Sequence, residues 1–369
     1  MQERGVVVGE LDPHLPDRAA ADRAPRRVAE AVRGANGGGA EGVLRLALGR
    51  PDREQAARYL RTYFARLGVP AVYSYLLGSD PRLLRRMIEA RAPGYAPTRL
   101  PIVVAAGAPR QVALALARAD AVPDGFVHVP AGRFRVGSRD DDTLRAAFNA
   151  APMHELDTPA YLIGRAEVTY GEWIAYLDDL PADERARRTP RVVASSTARV
   201  GETVELRATA AGWELHLAPT TVAYVARAGA PLVYAARARR QRQDWRRLPV
   251  SGISAQDAEA YAAWLARTGR VPRARLCTSE EWERAARGAD GRAFPAGDDL
   301  GADDANIDVT YGRSDGGFGP DEVGAHPAST SPHGLVDTAG NVWEITRGAP
   351  AGTYVMHGGC FFTERSNAH

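Results

Sequence analysis

Arg275-Leu276-Cys277-Thr278-Ser279-Glu280-Glu281-Trp282-Glu283-Arg284-Ala285-Ala286-Arg287-Gly288 is the stretch around which the rest of the chain can be ordered. Thr278 followed three residues later by Glu281 is a capping box: the hydroxyl meets the N3 amide and the carboxylate reaches back to the N-cap amide. Trp282, Ala285 and Ala286 then share one face of a helix that Gly288 closes. Working outward, Ser254 with Asp257 opens a second helix carrying Tyr261, Trp264 and Leu265 and closing at Gly269. Thr169 with Glu172 opens a third, carrying Trp173, Ile174, Tyr176 and Leu177. Each cap contributes only about 1 kcal/mol. Their value here is to fix where three amphipathic helices begin.

Between the outer two helices lie residues 190–245, where Val204/Leu206, Trp213/Leu215/Leu217 and Val222/Tyr224 alternate and Gly201, Gly212 and Gly229 mark turns. This is a β-rich insertion, and its internally complete alternation predicts a semi-independent subdomain. After Gly288 the chain is dense in Gly, Asp, Asn and Pro as far as His333. An irregular stretch of that length in a compact domain calls for a ligand, often a metal, to order it.

Upstream, Pro123-Asp124-Gly125 punctuates the chain and Phe126 to Gly137 alternates as a strand pair around a Gly turn, so a domain is expected over 123–369. Residues 1–41, rich in Ala, Arg, Asp, Pro and Gly, read as a disordered tail or linker. Residues 42–122 read as a small, mainly helical region with short strands. Tyr59, Leu60, Tyr63 and Leu67, and again Leu83, Leu84, Met87 and Ile88, recur at helical spacing. Residues 102–106 and 112–116 are short apolar runs, either two strands or a strand and a short helix. No kinase, Walker or dinucleotide motif is present.

Forty-seven basic residues, all arginine, nearly balance forty-five acidic ones, and a net charge of +2 gives no reason to expect nucleic acid or anionic lipid as partner. The run Arg237, Arg239, Arg240, Arg242, Arg246 and Arg247 around Trp245 reads as a solvated face ahead of a surface for an acidic partner. No signal-peptide core and no stretch approaching the roughly 20 apolar residues of a membrane span is found, which suggests a soluble, cytoplasmic chain. Cys277 and Cys360 make neither a multi-bridge scaffold nor a four-thiolate zinc site and read as small buried hydrophobes. His326, His333 and His357 lie in the loop-rich half and read as separate hydrogen-bonding residues ahead of a clustered site.

In chain order, Glu167-Val168-Thr169, residues 248–254 (Leu-Pro-Val-Ser-Gly-Ile-Ser), the 275–288 run, Phe294-Pro295-Ala296-Gly297-Asp298, Ala305-Asn306-Ile307, Gly340-Asn341-Val342-Trp343-Glu344 and Gly358-Gly359 resemble the signature of the formylglycine-generating enzyme, or sulfatase-modifying factor, family. The resemblance implies an α+β, C-type-lectin-like fold, low in regular structure, with two short helices against a twisted antiparallel sheet. It also implies that Trp282 and Trp343 are core residues. The 190–245 insertion is outside the minimal family pattern. Versions that carry one resemble C-terminal domains of bacterial proteins with a serine/threonine kinase, which suggests a signalling context.

The resemblance implies two calcium sites, one on Asn306, Ile307, Asp315 and Gly317 and one on Asp337, Gly340, Val342 and Glu344. Mixed carboxylate, amide and carbonyl oxygens suit that ion. The bland alternative is that Asp315 and Asp337 satisfy backbone donors in tight turns. The family's catalysis needs two cysteines behind its Gly-Gly-Ser motif, thiolates suited to copper(I). Counted from Gly358-Gly359 those positions hold Thr363 and Ala368, and Cys360 takes the serine position. No copper site is therefore expected. The related ergothioneine-pathway sulfoxide synthases bind iron through histidines largely on an N-terminal helical domain, and residues 1–120 contain only His14. The chain also stops at His369, before the family's Arg-rich ending, so a fragment lacking its terminal strand, with a sheet edge exposed, is expected. The sequence thus points to a non-catalytic binding or regulatory module for a peptide, protein or small molecule, with calcium as a structural ion. The alternative is an oxidoreductase of the same superfamily with a different metal site.

Overall fold

The computed structural model describes residues 5–9, 43–45, 71–77, 83–105, 111–148, 150–192 and 203–365. They form two compact units, residues 1–163 with 288–291, and residues 164–287 with 292–369.

In the first unit, Gly5–Gly9 pairs in parallel with Val43–Arg45 and antiparallel with Gln111–Ala115. The Val6-Val7-Val8 run, expected to lie in a tail, is therefore a strand, as β-branched residues favour. Ala71–Leu77, Leu83–Arg91 and Thr98–Ala105 form an antiparallel sheet with the middle segment paired on both sides. The helix expected over Leu83 to Ile88 is thus a strand. Its Leu-Leu-Arg-Arg-Met-Ile spacing fits either period, and two-sided pairing decides: Ile88 and Ala90 are buried while Met87 and Glu89, which alternate with them, are less so. The helix expected over Tyr59 to Leu67 lies outside the described residues. The apolar runs at 102–106 and 112–116 are both strands where described. Phe126–Val129 pairs with Tyr161–Gly164, and Gly132–Val136 pairs with His154–Thr158, packing Phe134 and Val136 on Ala289. A short helix, α1 (Asp142–Phe148), follows the second hairpin's first strand.

The second unit contains the three capped helices. They are α2 (Tyr170–Asp178), α4 (Ala255–Arg267) and α5 (Ser279–Arg287), with the short α3 (Ala182–Arg188) after α2. All three capping boxes form. The Glu172 amide donates to Thr169 Oγ1 at 3.3 Å and the Asp257 amide to Ser254 Oγ at 3.1 Å. The Glu281 amide donates to Thr278 Oγ1 at 3.2 Å, while Glu281 also takes two bonds from Arg275 at 2.7 and 2.6 Å. Helices α2 and α4 meet through rings: Trp173 stacks on Tyr261 at 5.2 Å, and Tyr176 sits edge-on to both. Such pairs add about 0.5–1.5 kcal/mol beyond the area they bury.

The insertion is β-rich as expected. Arg191–Val192, Thr203–Thr209, Gly212–Ala218 and Tyr224–Arg227 form one antiparallel sheet, followed by the pair Leu232–Val233 and Arg242–Gln243. It is not semi-independent. Leu206, Leu215, Leu217, Ala226, Leu232, Tyr234 and Trp245 belong to the same buried cluster as Tyr170, Trp173, Tyr176, Tyr261 and Trp264. Alternation along the sequence gave one apolar face to these strands, but not what that face lies against; here it lies on α2 and α4. No helix among the described residues is long and apolar enough to cross a membrane.

Candidate functional site

The 337–344 loop is held in a conformation few residue types accept. Asp337 and Asn341 have positive φ, +58° and +63°, as does Gly340 at +75°. A Cβ on Gly340 would fall on the Asn306 carbonyl oxygen, so only glycine lets these two loops cross. Asn341 pins the crossing. Its amide nitrogen donates to the Asn306 carbonyl at 2.8 Å, and its Oδ1 accepts from the Asp321 amide at 2.9 Å and from Asn306 Nδ2 at 3.2 Å. Its Nδ2 donates to Glu167 Oε1 at 3.1 Å.

This arrangement buries three carboxyl groups. Asp337 takes a hydrogen bond from the Gly324 amide, yet burial pushes it up to about 6. Burial, then the Asp337 charge, pushes Glu344 up to about 8. Glu167 is driven well above the carboxylate range by burial and then by the charges of Asp337 and Glu344. Glu167 and Glu344 are partly exposed as residues, but Glu167 Oε2 and Glu344 Oε1 are sealed and accept no hydrogen bond. The Trp282 indole N–H faces Glu344 closely enough to favour its charge without completing a hydrogen bond. Among the described residues these buried, mutually repelling, under-bonded carboxyls have no arginine ion pair, and only His326 favours the charge of Asp337. Asp337 and Glu344 act on each other electrostatically, and Glu167, which the sequence showed only as part of a motif, joins them. Its signal was its place two residues before the N-cap Thr169, where a carboxylate has no helical role to explain it.

Each residue of the other expected set holds hydrogen bonds of its own. The Gly317 carbonyl accepts from Arg237 Nε at 2.8 Å, and the Ile307 carbonyl from the Thr310 amide at 3.1 Å. The Asp315 carboxylate accepts from the Thr221 hydroxyl at 2.8 Å, and Asn306 Nδ2 donates to the Gly319 carbonyl at 2.9 Å. Among the described residues no three His, Cys, Asp or Glu side chains converge as a side-chain-only metal centre. His326 is bonded to the Asp303 carbonyl and Asp321, while His357 stacks on Trp282 and bonds Ser279 Oγ at 2.9 Å. These two histidines have separate partners.

A family model described as the sulfatase-modifying factor enzyme 1-like domain matches residues 113–369. The chain belongs to this family. The match begins upstream of the Pro123 boundary expected from turn signals. Among curated relatives, the chain is 31% identical to the hercynine oxygenase of Mycolicibacterium smegmatis over 233 residues, 60% of this chain and 44% of that protein. It is 39% identical to the inactive C-alpha-formylglycine-generating enzyme 2 of Mus musculus over 115 residues, 28% of this chain and 34% of that one. It is 38% identical to the formylglycine-generating enzyme of Mycobacterium tuberculosis over 107 residues, 27% and 32% respectively. The chain spans less than half the length of each of these relatives.

At the positions where the family resemblance asks for thiolates, Thr363 is folded into a turn. Its Oγ1 accepts from the Cys360 amide at 2.8 Å and its amide donates back to the Cys360 carbonyl at 2.8 Å. Ala368 lies outside the described residues. Burial pushes the Cys277 thiol up to about 12, which leaves it protonated and inert. Trp282 is buried as expected, but Trp343 is 44% exposed. It precedes Glu344, whose side chain turns inward, and neighbours at the start of a strand point to opposite faces. In the basic run Arg239, Arg242, Arg246 and Arg247 are exposed as expected, and Arg237 and Arg240 depart from it. Arg237 is sealed, Arg239 and Arg240 pair with Asp303 at 3.0 and 2.7 Å, and Arg247 pairs with Glu322 at 3.0 Å. Those charges hold loops of this unit in place.

Proposed function

We propose that this member of the family is a non-catalytic binding or regulatory module, built on a C-type-lectin-like scaffold, for a peptide, protein or small-molecule ligand. The observation that carries this reading is Thr363. A hydroxyl committed to a turn stands where a copper-binding thiolate is required, and no other sulfur repairs the pair: Cys277 is inert and Cys360 is a single displaced thiol. The likeness to a relative named inactive supports the same reading.

The buried carboxyls fit a calcium ion. Asp337 and Glu344 would supply charge and Gly340 and Val342 carbonyl oxygens, while Glu167 would add its charge nearby without ligating, since no three such side chains converge among the described residues. Hard anionic oxygens mixed with carbonyls are the donor set that ion prefers. The ion would neutralise the repulsion among these groups and hold the 337–344 loop in its positive-φ conformation. Its role here is structural.

Incubation of the protein with a sulfatase-type cysteine peptide, copper and oxygen, followed by mass spectrometry, tests the proposal. No aldehyde above the protein-free control is expected, and conversion of cysteine to formylglycine would overturn it. The likeness to a hercynine oxygenase over 60% of the chain favours a second reading, an oxidoreductase with a different metal set. Elemental analysis separates the two. Calcium alone supports the module, whereas stoichiometric copper or iron supports redox chemistry.

A further inference from the structure

We propose that the Arg237 guanidinium is the built-in cation of the 306–321 loop, standing in for the calcium ion that the family resemblance places on Asn306, Ile307, Asp315 and Gly317, so that this loop takes no metal. The side chains of Arg237 and Asp321 both have 0% exposure and are joined at 2.5 Å. The other two edges of the guanidinium are also satisfied. Nε donates to the Gly317 carbonyl at 2.8 Å and Nη2 to the Gly319 carbonyl at 2.7 Å. Its faces are covered by the rings of Tyr234 at 3.6 Å and Tyr311 at 3.9 Å, both within cation–π range. Carbonyls, a carboxylate and ring faces converging on one buried charge form a cation site whose cation is covalently attached.

The surroundings are shaped to that occupant. Asp321 Oδ2 accepts from the Tyr311 hydroxyl at 2.5 Å and lies 2.8 Å from His326 Nε2, contacts that hold the carboxylate against its arginine. The Tyr234 hydroxyl donates to the Pro320 carbonyl at 3.0 Å, and Gly319 at φ +144° leaves room for the ring: a Cβ there would sit 2.5 Å from the Tyr234 oxygen. Meanwhile Asp315, the one carboxylate among the four implied ligands, has turned to the Thr220 and Thr221 hydroxyls, which donate to its carbonyl and carboxylate at 2.7 and 2.8 Å. A divalent ion entering here would meet a fixed like charge and have to share the Gly317 carbonyl with it. Arg237 comes from the 190–245 insertion, the segment absent from the minimal family pattern. The loop read as needing a metal is thus ordered by an arginine from that segment.

The test uses the full chain, with thermal unfolding and bound-calcium analysis in excess calcium and in chelator. Asp315→Asn is expected to keep the wild-type calcium response and stoichiometry unchanged. Arg237→Ala is expected to melt several degrees below wild type in both conditions, and millimolar ethylguanidinium should raise the melting temperature of that variant without raising that of wild type. Arg237→Lys, a point charge without the planar fork, should not recover the loss. Loss of one bound calcium in Asp315→Asn would overturn the proposal, as would an Arg237→Ala variant as stable as wild type. If Arg237→Ala fails to fold, Glu344→Gln decides: persistent, Asp315-dependent calcium binding in that background overturns the proposal, and its absence supports it. Wild type that binds no calcium at all defeats the reading of Asp337 and Glu344 as ligands and leaves this one standing.

Discussion

Glu344→Gln is expected to stabilise the protein in chelator and to lose that advantage over wild type in calcium. Glu344 is raised from the ordinary 4.5 to about 8. A carboxyl whose folded value lies above its unfolded value contributes stability that is complete below pH 4.5 and is lost as the pH rises through 8. At the exchange of 1.36 kcal/mol per pH unit, the loss reaches about 3 kcal/mol near pH 7 and about 5 kcal/mol near pH 9. Gln keeps the shape and removes the ionisation. The useful quantity is the difference between variant and wild type, because it cancels His357. That ring is depressed to about 4 by burial, so its contribution runs the other way, rising with pH between about 4 and 6.5. Glu167 is raised partly by the Glu344 charge, so relief there adds in the same direction. Urea unfolding followed by tryptophan fluorescence reads the right region, since all six tryptophans lie in the second unit. In chelator the variant should match wild type near pH 4.5 and exceed it by about 3 kcal/mol near pH 7. With calcium at a hundredfold excess over Kd, wild type should gain about 2.7 kcal/mol and the variant little. A chelated variant less stable than wild type near pH 7 would refute the reasoning, because it would mean that Glu344 has a positive partner within the protein.

Replacing residues 190–245 with a short Gly-Ser linker should abolish the cooperative transition of the second unit, because it removes Leu206, Leu215, Leu232, Tyr234 and Trp245 from the shared core. A retained cooperative melt would restore the semi-independent subdomain. Gly340→Ala should cost at least about 2 kcal/mol, from positive φ and from the Cβ meeting the Asn306 carbonyl. Denaturant unfolding within a few tenths of a kcal/mol of wild type would show that the two loops separate easily.

The sequence by itself determined the elements whose information is local. Thr169, Ser254 and Thr278 are N-caps because a hydroxyl and a carboxylate three residues apart satisfy the first-turn amides of the same helix, with no help from elsewhere in the chain. The ordered motifs also carried the family, and the missing thiols at Thr363 and Ala368 were legible by counting. Tertiary structure decided whatever depends on partners distant in the chain. Leu83–Arg91 is a strand because two neighbours hydrogen-bond to it, while its own spacing suits a helix equally well. Glu167 joins Asp337 and Glu344 across a long separation, and only burial turns three ordinary acids into an under-neutralised cluster. Arg237 looked like one more exposed arginine in a basic run. Its role exists only where the 306–321 loop closes around it, because a charge becomes a site when water is excluded and its neighbours are fixed, and neither condition is written in the residues beside it.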